Sequence, residues 1–140
     1  DTPPEEAEGL TDALDAEHLA LIRLATPTTD ESRLKTLVRR TKGFIYYVSV
    51  TGVTGVKEVD ADAIAGEVAR VREAAQLPVA VGFGIRTPER AAQVARIADA
   101  AVVGSALVDE IKNSLPENAA AKAKVLEKAA ILAQAVHEAR

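Results

Sequence analysis

Glycine recurs in this 140-residue chain where apolar runs end. Gly82-Phe83-Gly84 follows Pro78 to Val81, Gly104-Ser105 follows Ala100 to Val103, and Thr51-Gly52-Val53-Thr54-Gly55 follows Phe44 to Val50. Glycine tolerates positive φ and lets backbone approach a ligand closely. Backbone N–H groups gathered at neighbouring strand ends, beside a helix N-terminus, can hold a phosphate. The same glycines would serve equally well as tight turns between strands and helices, and spacing alone does not decide between the two. The Thr51–Gly55 loop has the composition of a segment that closes over a ligand.

Other chemistry is sparse. His18 and His137 are the two histidines, placed at a helix–strand junction and on a terminal helix. Both read as surface or cap residues. Ser49 and Ser105 stand in no G-x-S-x-G context, which argues against a nucleophile. No set of residues has metal-ligand spacing, and the absence of cysteine excludes disulfides and thiolate sites.

The elements that must position the glycines alternate. A helix over 5–17, with Ala7, Leu10 and Leu14 on one face, leads to a strand over 18–25 that contains Arg23. Asp30 begins a helix to about residue 41, stopped by Lys42-Gly43. Residues 44–50 are the most strand-like run, dense in aromatic and β-branched side chains. Asp60 or Asp62 caps a helix to about Gln76, striped by Ile64, Val68 and Val71. Strand 78–81 precedes a helix opened by Thr87, Pro88 and Glu89, residue types suited to an N-cap and first turn. Strand 100–103 leads into a helix from Ala106, a polar connector over 112–118, and a long amphipathic helix over 119–140, with Leu126 and Leu132 on its apolar face. Such alternation implies an α/β fold with a parallel sheet and right-handed crossovers. Four strands make either a small doubly wound sheet or half of an eight-stranded barrel.

The length fits one domain, residues 1–140. Hydrophobic residues make up 48% and aromatics 3%, with no Trp or Met, so the core is built from many small aliphatic contacts. A net charge of −4 supplies no basic stripe and argues against nucleic acid. No run is long and apolar enough to span a membrane, and Asp1 to Glu6 does not read as a signal peptide, so a cytoplasmic location is expected.

Taken together, Tyr46–Gly55 (YYVSVTGVTG), Gly82–Arg86 (GFGIR) and Val102–Val108 (VVGSALV) resemble the α subunit of tryptophan synthase in order and spacing. DTPPEE at the start and the Ala25-Thr26-Pro27-Thr28 turn are similar to that family too. The resemblance covers essentially the entire chain. It implies the second half of a (β/α)8 TIM barrel from a lyase of tryptophan biosynthesis. That enzyme splits indole-3-glycerol phosphate into indole and glyceraldehyde 3-phosphate, and its β subunit carries the pyridoxal phosphate. The α chain itself has no cofactor.

By this resemblance Gly55, Gly82, Phe83, Gly84, Gly104 and Ser105 match positions around the substrate phosphate. Tyr46 matches a tyrosine near the indole, Thr54 a threonine of the mobile loop that communicates with the β subunit, and Asp1 an aspartate at a strand end. The family's catalytic glutamate and aspartate lie in the other half of the barrel, so no catalytic residue is expected here. Asp60, Asp62 and Glu67 read as a cap and a solvated face, and Glu5 and Glu6 as a first turn. The 140 residues alone are therefore expected to be inactive. A different phosphate-sugar barrel lyase or isomerase, or an inactive phosphate-binding half-barrel, are the alternatives. Open sheet edges would favour a homodimer or pairing with the other half-barrel.

Overall fold

A computed structural model describes residues 2–49, 61–82, 84–115 and 118–140 of the chain. Four parallel strands run in chain order: β1 (Arg23–Ala25), β2 (Ile45–Val48), β3 (Val79–Gly82) and β4 (Ala100–Val102). Each hydrogen-bonds to its sequence neighbour, and the register aligns Leu24, Tyr46, Ala80 and Ala100 in one row. A second row joins Val48, Gly82 and Val102.

The helices are α1 (Glu8–Ala16), preceded by a 3-10 turn at Pro4–Glu6, then α2 (Glu31–Val38), α3 (Ala61–Ala75), α4 (Pro88–Ile97), α5 (Ser105–Asn113) and α6 (Asn118–Glu138). The parallel β/α alternation expected from the sequence is present.

The core lies between the sheet and the helices. Ala25, Ile45, Tyr47, Val79 and Val81 project from the strands onto Leu34 and Leu37 of α2, Val68 and Val71 of α3, Ala91 and Val94 of α4, and Leu132 of α6. Strand side chains alternate between faces, so Leu24, Tyr46, Val48, Ala80, Gly82, Ala100 and Val102 share the opposite, inner face.

Two caps fix helix starts. The Asp30 carboxylate accepts from the Arg33 amide at 2.7 Å, and the Thr87 hydroxyl accepts from the Arg90 amide at 3.3 Å, with Pro88 at the first helical position.

The edges of elements depart from the sequence expectation. The strand over 18–25 shrinks to Arg23–Ala25. His18 adopts φ 56° and the Leu19 amide donates back to the Leu14 carbonyl at 2.8 Å, which spends those residues on closing α1. α2 ends at Val38, not at 41. The Thr41 hydroxyl donates to the Leu37 carbonyl at 2.7 Å and turns the chain before Gly43, at φ 81°. Leu10 and Leu126, placed on apolar faces by periodicity, are exposed, while Ala7 and Leu132 of the same stripes are buried.

Candidate functional site

The C-terminal strand ends bring two of the glycine turns side by side. Gly82 pairs with Val102, so Gly84 and Gly104 each follow by two residues on adjacent strands. Neighbouring strands lie about 4.8 Å apart, which makes the two turns one surface. Gly84 takes φ 72°, a conformation that suits glycine, and the next residue, Ile85, is buried as an anchor. Ser49, at the end of β2, donates through both its amide (3.3 Å) and its hydroxyl (3.0 Å) to the Gly82 carbonyl. That places Ser49 in the scaffold beneath the turn.

The second turn opens α5. Gly104 is the N-cap, no side chain caps the helix, and no acid stands in its first turn. The Leu107 and Val108 amides bond to the Gly104 carbonyl at 2.9 and 3.2 Å. The Ser105 and Ala106 amides are the two that precede any intrahelical acceptor, and the helix dipole adds positive character there. A Cβ added at Gly104 would meet nothing within 4 Å, so the surrounding fold does not itself demand glycine at that point. What the missing side chain leaves is open approach to those amides.

Tyr46 lies on the inner face with its ring over Gly82. A Cβ at Gly82 would stand 2.6 Å from Tyr46 Cζ and closer still to Oη, so only glycine leaves room for this ring pose. Burial raises the Tyr46 pKa, which keeps a neutral phenol at the site. Tyr47, one residue on, is fully buried in the helix-facing core; burial, and then the charge of Glu67, raise its pKa too. The inner-face row from Leu24 to Val102 carries no carboxylate among the described residues.

Of the residues singled out from the sequence, Tyr46, Gly82, Gly84, Gly104 and Ser105 gather at this one end of the sheet. Asp1, Thr54, Gly55 and Phe83 lie outside the described residues. His18 is exposed at the end of α1, and His137 borders an apolar hollow between α4, β4 and α6, beside Asp99 and Arg140 at the opposite end of β4. Arg23 is buried on the helix side of β1, donating to the Thr2 carbonyl at 3.2 Å and the Thr11 hydroxyl at 3.3 Å.

One element of the site escapes sequence reasoning. Arg86, just past the first turn, forms an ion pair with Asp109 on α5. The two are 23 positions apart, and no local pattern signals such a pair.

A family model described as tryptophan synthase alpha chain matches residues 1–138. The chain is 66% identical to the tryptophan synthase alpha chain of Phenylobacterium zucineum (strain HLK1), across all of this chain and 50% of that one. It is also 66% identical to that of Caulobacter sp. (strain K31), covering 51% of the relative. Among solved structures, tryptophan synthase subunit alpha from Legionella pneumophila str. Paris superposes with a TM-score of 0.83 at 32% identity, over 99% of this chain and 50% of that one. The chain thus spans about half the length of the curated relatives it matches.

Proposed function

The chain belongs to the tryptophan synthase alpha chain family, and from that premise we propose that it forms the phosphate-binding half of a TIM-barrel lyase site for indole-3-glycerol phosphate. The observation that carries this reading is the register of β3 and β4, which sets the Gly84 and Gly104–Ser105 turns on one surface. Backbone amides there, with the Ser105 hydroxyl, hold the phosphate. Tyr46 packs beside the indole. The phosphate contacts that the family resemblance implies for Gly55 and Phe83, and the loop role it implies for Thr54, fall on positions outside the described residues.

The reaction places a proton on indole C3, breaks the bond from C3 to the glycerol chain, and removes a proton from the adjacent glycerol hydroxyl, which becomes the aldehyde of glyceraldehyde 3-phosphate. Positioned carboxylates normally supply such transfers. The inner face has none among the described residues; in this reading the acid and base come from the other half of the barrel, and residues 1–140 bind without turning over. The chain needs no cofactor. Its partners are the complementary half-barrel, or a second copy, at the outer edges of β1 and β4, which pair with no further strand among the described residues, and the β subunit.

Indole release from indole-3-glycerol phosphate, with and without added β subunit, tests the reading together with binding of glycerol 3-phosphate. Saturable binding without turnover, abolished by Gly104→Val, is the expected result. Turnover by the 140 residues would overturn the division of labour, and no binding would overturn the cradle.

A further inference from the structure

We propose that Arg86 is a positioning residue for the bound phosphate, acting by neutralising Asp109, an inference that rests on the phosphate reading above. Arg86 lies two residues beyond Gly84, held in place by buried Ile85 between them. Its guanidinium donates to the Asp109 carboxylate on α5. Asp109 is four residues after Ser105, one helical turn, or about 6 Å along the axis.

No acid occupies the first turn of α5, so Asp109 is the first negative charge met along the helix from the amides of Ser105 and Ala106. Left alone, that carboxylate opposes an anion at the same helix end. Paired with Arg86 it does not. Both side chains are about two-fifths exposed, and ion pairs of that exposure add little to folding stability. The pair's value lies in the field at the turn. It also ties the loop after β3 to the helix after β4, the two segments that the phosphate bridges.

The test compares the unmodified chain with Arg86→Gln, Asp109→Asn, the double variant and Arg86→Lys. Binding of glycerol 3-phosphate and of inorganic phosphate is titrated at low and at moderate salt, and thermal melting checks that each variant folds. Arg86→Gln is expected to weaken binding about tenfold at low salt and less at higher salt. The double variant, with no carboxylate left to oppose the ligand, is expected to recover to within about twofold of the unmodified chain, and Arg86→Lys to stay near it. Binding unchanged by Arg86→Gln overturns the assignment. A double variant as weak as Arg86→Gln overturns the charge argument in favour of a purely geometric clamp. An unmodified chain that binds neither ligand overturns the phosphate reading, and the role of Arg86 falls with it.

Discussion

The phenol ring of Tyr46 fills the space that any side chain on Gly82 would need. The two residues stand on adjacent strands and the same face of the sheet, so the glycine defines the pose of the ring as much as it defines a turn. Gly82→Ala is expected to push Tyr46 out of place. The stability loss should be about 1–3 kcal/mol, the usual range for overpacking, read from denaturant midpoints. Adding Tyr46→Leu to Gly82→Ala should return part of it, because the clash needs both partners. A Gly82→Ala variant as stable as the parent would show that the ring moves freely.

Leu34 of α2 is fully buried against the strands. Leu34→Ala should cost about 2–4 kcal/mol through lost burial and an unfilled cavity. Leu126→Ala, on an exposed position of α6, should fall within about 0.5 kcal/mol of the parent. Urea titrations of the two variants side by side check both the core and the outward orientation of that face.

Thr87 caps α4 through the Arg90 amide. Thr87→Ala should cost about 1 kcal/mol, and Thr87→Asn, which can accept the same bond, much less. Helix α4 packs against α6, so hydrogen exchange should show the loss in both helices.

Asp99 joins three elements. Its carboxylate accepts from the Val79 amide at 2.8 Å and from Arg72 Nε at 3.0 Å. Burial opposes its charge, but the Val79 amide and the Arg72 guanidinium together hold its pKa below the ordinary aspartate value. A carboxyl whose folded pKa is depressed stabilises the fold above its unfolded pKa, about 3.9, and that contribution fades as pH falls through the folded value. Asp99→Asn should therefore lower stability near neutral pH and flatten the acid limb of a stability–pH curve. A limb of unchanged steepness would remove Asp99 from the account.

The alternation of strands and helices was legible because apolar runs, caps and glycine stops repeat along the chain. Asp30 and Thr87 announce their helices by residue type alone, and the oxygens of both accept from the amides expected of an N-cap. The apolar stretch over 18–25 is shorter as a strand than its residue types suggest, because they do not reveal that His18 turns in the left-handed region and that Leu19 bonds backward to α1. Helical spacing likewise identified stripes without saying how wide each neighbour is, so Leu10 and Leu126 fall outside the contact while Ala7 and Leu132 fall within it. At the site, the glycine turns stood out as local motifs. The fit of Tyr46 onto Gly82 and the pairing of Arg86 with Asp109 depend on separations of 36 and 23 positions, which only the folded sheet closes.

The sequence has two tyrosines and no tryptophan, and the adjacent pair on β2 faces opposite ways, Tyr46 to the inner surface and Tyr47 to the helix-packed core. The chain therefore carries its own optical reporters on both sides of one strand. In a Tyr47→Phe chain the remaining ultraviolet emission comes from the inner surface and should respond to a ligand settling there. In a Tyr46→Phe chain it comes from the core and should stay silent until the helices peel away.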